Sequence, residues 1–269
     1  MFESSRARVG RALARYLSQP IKRVRHPSTS PLELVAATLR KGDVLLVDGN
    51  TRFSAAIRYL TQSTWSHSAL CIGDALDPGA SDANRDPDAR VLLEADVVKG
   101  VSAVPLSKYA GFHTRICRTV GLTDAEIDTV VGFAMARLGN QYDVKNVVDL
   151  VRYLIRTPPV PDHYKRRLMM LGSGDPTRAI CSTLIAQAFQ SVHYPILPML
   201  LGDPDDLGHQ QFRKELLRAQ HYSLFAPRDF DVSPYFRIVK PTIEQGFDPH
   251  RVLWAMIDPD GGVDVEASG

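Results

Sequence analysis

Three side chains that could share one proton lie far apart in this chain of 269 residues: a cysteine, a histidine and a glutamate. Cys181 falls in "AICSTLIAQAF", residues 179–189. Leu184, Ile185, Ala188, Phe189 and then Val192 follow the i, i+1, i+4, i+5, i+8 spacing that gives a helix one apolar face. The preceding "GSGDPTRA" carries enough Gly and Pro to end any earlier helix. Cys181 is therefore expected in the first turn of a helix, where unpaired N–H groups and the macrodipole favour an anion. Such a position lowers a thiol's pKa and makes it a nucleophile. Without a partner base, the simpler reading is a small apolar residue closing a helix start.

The base is sought among eight histidines. His67 stands inside a strand pattern, "SHSALCIG" (66–73), whose alternation sets His67, Ala69 and Cys71 on one face and Ser68, Leu70 and Ile72 on the other. A buried imidazole needs a hydrogen-bond partner. "VLLEADVV" (91–98) places Glu94 in the middle of the next apolar strand, and a hairpin of the two strands would bring it beside His67. Glu94 would then accept the imidazole N–H, fix its tautomer and stabilise the imidazolium. Cys71 and Cys117 fall in strands and are expected to be buried with no base nearby.

The elements that must position these residues are strands early and helices late. "GDVLLVDG" (42–49) reads as a short buried strand, and "TRFSAAIRYLTQS" as the helix after it. "DALDPGASDANRDPDAR" is a surface loop by its Asp, Pro, Gly and Asn content. "VSAVPLSKY" and "HTRICRTV" (113–120) continue the strand pattern. "LTDAEIDTVVGFAMARLG" has a Thr cap, an acidic first turn and Gly139 at its end, a complete helix signature. A short helix is expected around "HQQFRKELLRAQ", a strand at "FRIVKP", and fraying in the tail "DPDGGVDVEASG". No internal repeat and no clear linker appear, so the expectation is one α+β domain with appendages. Its parts are a basic helical extension over 1–41, a catalytic domain over 42–240 with a helical insertion at about 143–171, and a partly frayed extension over 241–269.

Composition narrows the setting. The chain is 44% hydrophobic and 23% charged, ordinary for a globular protein. Three cysteines argue against a disulfide framework and fit a reducing compartment. No apolar run approaches the roughly 20 residues of a membrane span, and the N-terminus makes a poor secretion signal. A cytoplasmic protein is expected. Residues 1–41 hold nine Lys/Arg against Glu3 and Glu33, a local +7 in a chain of net +2. Phe2, Val9, Leu13, Tyr16 and Leu17 can share one helix face there. That pattern suits a helix packed on its own domain or one lying peripherally on an anionic inner-membrane surface, and both stay open. The basic residues lack interleaved aromatics and are confined to one end, so no nucleic-acid partner is expected. No metal is expected without an H-E-x-x-H helix or paired Cys-x-x-Cys. "GSGDPT" lacks the Lys and the strand context of a phosphate loop, and no cofactor is expected.

The order "GDVLLV", "WSHSALCIG", "LLEAD…GV", "GNQYD", "ICSTLIAQAF" resembles the circularly permuted branch of the NlpC-type papain-like cysteine hydrolases. These are the YiiX/YebB-like proteins, and lecithin:retinol acyltransferase belongs to the same broader permuted group. The resemblance runs from about Gly42 to Val192. It implies a permuted papain-like fold with an antiparallel sheet packed against the nucleophile helix. It also implies Cys181 as nucleophile, His67 as general base and Glu94 as the third polar residue. Tyr142, in "GNQYD", matches a tyrosine lining the substrate site, and Trp65 and Ser66, flanking His67 in its motif, are carried with it as substrate-binding candidates. The chain departs from unpermuted relatives in the long stretch between Tyr142 and Cys181, whose apolar residues and basic cluster Lys165, Arg166 and Arg167 suit a lid, an acyl-chain groove or a plain helical hairpin.

The implied chemistry is acyl transfer through a thioester. Hydrolysis of an amide or ester bond in a small molecule, peptide or lipid is the leading expectation. A lipid acyltransferase or lipase-like enzyme on the same triad is the alternative, and a non-catalytic binding module of the same fold the third.

Overall fold

The computed structural model describes residues 15–21, 28–76, 91–96, 99–140, 180–197, 199–200, 217–218, 222, 225–251, 254–257 and 263–266. Its centre is β1 (Val44–Val47), a run of four apolar residues buried throughout. Such an uninterrupted run suits a strand covered on both faces, where alternation has no polar side to serve. β1 pairs antiparallel with β2 (His67–Cys71) on one side and β5 (Thr114–Thr119) on the other. β3 (Leu92–Asp96), β4 (Gly100–Val104) and β8 (Phe236–Val239) complete a six-stranded antiparallel sheet in the order β4-β3-β2-β1-β5-β8.

Helices cover both faces. On one, α3 (Asp124–Met135) and α4 (Ile180–Gln190) bury Val130, Val131, Leu184, Ile185 and Phe189 against Leu46, Leu70 and Leu93. On the other, α1 (Leu32–Thr38) lays Val35 and Ala36 over Leu45, Ala69 and Leu92, together with Leu106 and Tyr109 of a single 3-10 turn (Leu106–Tyr109). α2 (Arg52–Thr61) follows β1, its start capped by the Thr51 hydroxyl accepting from the Ser54 amide at 3.1 Å. α3 opens with the Thr cap that its sequence predicts, and Glu126 completes it into a capping box. A bidentate Arg118–Asp43 ion pair, at 2.8 and 2.7 Å, ties β5 to the start of β1, and the same guanidinium donates to the Thr38 carbonyl at the end of α1.

Several expectations change on contact with the fold. "VSAVPLSKY" does not continue as strand: Pro105 has no N–H for the ladder, and the chain turns into the 3-10 segment instead. α3 stops at Met135, four residues before Gly139, which adopts φ +84° and gives its N–H to the Val101 carbonyl of β4 at 2.9 Å. Leu217 and Arg218, expected to be helical, form β7, which pairs with β6 (Met199–Leu200); their backbone groups find partners across the chain rather than along it. The tail expected to fray holds β10 (Val263–Glu266), paired antiparallel with β9 (Trp254–Ile257). Its alternating Val-Asp-Val-Glu pattern after a Gly-rich stretch is itself a hairpin signal.

Part of the expected N-terminal extension is built into the domain. Leu17 joins the core under α4, and the Ile21 and Arg52 amides exchange hydrogen bonds with Asn50 and Gln19 at 2.8 and 3.1 Å. The remainder of the basic helix and the insertion at 143–171 lie outside the described residues. No helix among the described residues is long and apolar enough to cross a membrane.

Phe189 is the keystone of the α4 face, fully buried and edge-on to Phe236 with ring centroids 5.3 Å apart. Phe189→Ala is expected to destabilise the fold by about 3–5 kcal/mol, read as a lowered midpoint in urea unfolding at an unchanged slope.

Candidate active site

His67 is the first residue of β2, paired with Val47 of β1. A strand's first residue has sheet on one side and open chain on the other, so its ring can be approached from both layers. The structure uses both approaches. Nε2 meets Glu94 Oε2 at 2.9 Å, while Cys181 lies near enough for its sulfur to act on the imidazole charge.

Glu94 arrives from β3. The ladder pairs Leu70 with Leu93 and Cys71 with Leu92, so Glu94 shares the sheet face of Cys71, Ala69 and His67. The expected hairpin neighbour is thus a same-face diagonal contact, bridged by two long side chains. Cys181, the second residue of α4, comes from the opposite layer and is 3% exposed, packed on Phe53 and Ile57 of α2. Ser68, one residue on from His67 and therefore facing α4, turns both its amide and its hydroxyl toward the sulfur. That hydroxyl is buried and makes no hydrogen bond among the described residues.

The electrostatics follow from these contacts. Burial alone would depress the imidazole pKa, but the sulfur of Cys181 and the carboxylate of Glu94 outweigh it, and His67 is pushed up to about 10. Burial alone would raise the Cys181 thiol, yet the facing imidazolium and the Ser68 donors bring it below the ordinary cysteine value. Glu94 is fully buried, which opposes its charge, but His67 and Lys108 hold its carboxyl well below the usual carboxylate range. The arrangement can therefore store a thiolate and an imidazolium together at neutral pH. Cys117, buried in β5 with Asp231 nearby, is pushed the other way, well above an ordinary thiol. Cys71 is likewise fully buried in β2.

A cleft of about 200 Å³ opens over the sulfur, lined by Cys181, His67, Lys108, Tyr109, Phe112 and Asp96. Ser18 of the N-terminal segment and Asn50 and Thr51 of the β1–α2 loop form a more polar wall. That loop is braced from below by the buried ion pair of Arg58 with Asp48, at 2.7 Å. Gly49 lets the loop lie close: a Cβ there would stand 2.4 Å from Ser54 Oγ.

The substrate-binding candidates divide. Ser66 lines the cleft, but its hydroxyl is spent on the protein, accepting from the Gly49 amide at 2.9 Å. Trp65 does not line it; the residue is 3% exposed, stacked on His113 at 5.2 Å, with Nε1 donating to Asp231 at 2.9 Å. Trp65 is a strut beneath the β1–β2 connection, which corrects its place among the substrate contacts. Tyr142 lies outside the described residues. Sequence reasoning missed Lys108 and Tyr109, whose ammonium and hydroxyl both donate to Glu94. The available signal was Glu94 itself: a carboxylate offers about four acceptor sites, and burying it beside one imidazole leaves most of them unmet. Among the described residues no group of three or more His, Cys, Asp or Glu side chains is placed to hold a metal ion.

Comparison with known proteins bears on the same residues. Residues 38–153 match the family described as permuted papain-like amidase enzyme, YaeF/YiiX, C92 family. The matched stretch contains His67, Glu94, Lys108 and Tyr109 and ends before Cys181. A curated relative from Escherichia coli (strain K12), named "Probable lipoprotein peptidase YaeF", is 23% identical over 197 residues, covering 66% of this chain and 66% of that protein. A solved structure titled as metalloprotein yiiX from Escherichia coli O157:H7 is 15% identical and covers 75% of this chain and 96% of that one, at a TM-score of 0.41, too distant a superposition to carry an argument. Over residues 38–153 the chain is thus similar to the permuted papain-like amidases of the YaeF/YiiX kind.

Proposed function

We propose that the protein hydrolyses an amide bond through a thioester on Cys181, with His67 as general base and acid and Glu94 orienting the ring. The observation that carries this reading is one imidazole held by a buried carboxylate at 2.9 Å and lining the same open cleft as a thiol at the start of a helix, whose charge it stabilises. The thiolate of Cys181 attacks the carbonyl carbon. Negative charge moves to the carbonyl oxygen, where first-turn amides of α4, the Cys181 N–H among them, can donate. His67 gives its proton to the leaving nitrogen, the C–N bond breaks, and the acyl group stays on sulfur. Water then attacks the thioester, losing a proton to His67, and the carboxylic acid leaves with the thiolate restored. Glu94 keeps its charge throughout and holds the imidazolium in place.

A peptide is the preferred substrate class. The relative YaeF is named a probable lipoprotein peptidase, and the cleft joins a polar wall at Asn50 and Thr51 to an apolar one at Phe53 and Phe112. Such a mixed lining suits a backbone with one modest side chain. The acyltransferase alternative rests on the resemblance to permuted relatives and on the insertion at 143–171, which lies outside the described residues.

Incubation with a peptide p-nitroanilide and the matching p-nitrophenyl ester, followed by intact-protein mass spectrometry, should reveal the same acyl adduct on Cys181 from both, with release by water. Cys181→Ala is expected to lower amide turnover on the order of 10⁴-fold or more while leaving the unfolding midpoint nearly unchanged. His67→Ala should lose about 10²–10⁴-fold, and Glu94→Gln less than that, because an amide still orients the ring. Turnover by Cys181→Ala at the wild-type rate would remove this reading.

The pH profile has a defined sign. The reactive form needs a thiolate and an imidazolium together. Activity should therefore rise on the acid side at a pH below that of an ordinary cysteine, and fall near pH 10 as His67 loses the proton it must donate. Iodoacetamide at neutral pH should label Cys181 ahead of Cys71 and Cys117, read by peptide mapping.

A further inference from the structure

Glu94 accepts from three side chains, and two of them come from one short segment. Lys108 Nζ donates to Oε1, and Tyr109 Oη donates to Oε2, the oxygen that also meets His67. Both donors sit on the 3-10 turn that Pro105 starts, pressed on the sheet face opposite α4. Glu94 has no exposed surface, whereas the Lys108 side chain is 38% exposed and reaches inward from the cleft. A lysine spending its ammonium on a buried carboxylate, when solvent is open to it, is held there by the charge it meets.

The charges of the site show what that ammonium does. In the reactive form Cys181 is negative, His67 positive and Glu94 negative, a net of −1 in a largely buried set. A surplus negative charge disfavours the thiolate. Lys108 brings the set to zero. Tyr109 remains protonated, since burial and the Glu94 charge push its phenol well above the ordinary value, so it donates at every working pH. Asp96 at the end of β3 also faces the cleft and takes the Lys99 amide at 2.9 Å, and Asp48 and Arg58 below the β1–α2 loop cancel each other. Lys108 is thus the cation on hand to offset the carboxylate.

We propose, building on the cysteine-hydrolase reading above, that Lys108 and Tyr109 are positioning residues for the reaction: Lys108 balances the charge of the buried Cys181–His67–Glu94 set, and Tyr109 anchors the Glu94 oxygen that aims His67. Neither touches the reacting atoms in this role. Lys108 acts on both partners of the ion pair with one sign. Its loss makes the thiolate harder to form and the imidazolium harder to deprotonate, so both titrations move to higher pH.

The test is the rate of Cys181 alkylation by iodoacetamide across pH 4–11 on the full chain, followed by mass spectrometry of the Cys181 peptide, with no substrate required. Lys108→Met is expected to raise both midpoints by about half a unit to one unit, which slows labelling about threefold to tenfold on the acid limb. Lys108→Arg should restore both. Tyr109→Phe, which removes a dipole and no charge, should shift them in the same direction by less. Glu94→Gln should lower both midpoints, and Glu94→Gln/Lys108→Met should fall between the two single variants, which keeps the charge argument testable if one variant folds poorly. Unmoved midpoints in Lys108→Met, or a shift that Lys108→Arg fails to reverse, would overturn the proposal while wild-type labelling at Cys181 left the hydrolase reading intact. Absence of preferential Cys181 labelling in the wild type would instead sink the hydrolase reading and, with it, this one.

Discussion

A carboxylate sealed from water sets the terms for this molecule. Glu94 lies in the middle of β3 with no exposed surface, and a buried charge persists only where hydrogen bonds and opposite charge replace its hydration. Three donors do so, and each constrains a different part of the chain. The His67 bond fixes the ring at the start of β2. The Lys108 and Tyr109 bonds require that β4 end in a turn returning over the sheet, which Pro105 supplies by withholding an N–H from the ladder. Tyr109 then adds its ring to the core beneath α1.

The sheet is a partition, and the site is built where the partition ends. Glu94, Ala69, Leu92 and Tyr109 belong to the layer of α1; Ser68, Leu70, Leu93 and the apolar side of α4 belong to the other. Cys181 and Glu94 would be kept apart by a continuous sheet. They meet through His67 because it opens its strand. One imidazole thereby couples two layers, and each layer contributes one charge. Alternation within β2 does further work: His67 turns to the carboxylate while Ser68, the next residue, turns to the sulfur.

The stiffness of the surroundings suits this chemistry. The Arg58–Asp48 pair and the Trp65–Asp231 hydrogen bond each brace the β1–β2 connection near the site, and the Arg118–Asp43 bridge ties the far end of β1 to β5. A thiol and a base held by packed elements need little rearrangement before reaction, and preorganised donors are worth more than mobile ones. The order of the elements in the chain is immaterial to that geometry. A histidine strand preceding a cysteine helix delivers the same contact as the reverse order, provided the layers stack the same way.

The sequence alone determined the local pieces: the buried run "VLLV", the helix after it, the capped start of α3, and the helix with Cys181 in its first turn. It also allowed His67 and Glu94 to share a face, since each lies in an alternating strand, and the observed register of β2 with β3 put them there. These are short-range consequences of propensity and periodicity, and the family resemblance added the grouping of Cys181 with His67. Tertiary structure decided the rest. "LSKY" has no local property that marks Lys108 and Tyr109 as partners of Glu94, fourteen and fifteen residues upstream. Trp65 beside the motif histidine became a core strut because Asp231, 166 residues away, reached its indole N–H. Leu217 and Arg218 became a strand because Met199 and Leu200 paired with them. In each case the deciding group is distant in the chain, and its effect depends on a charge or donor being buried, a condition that exists only after the layers have packed.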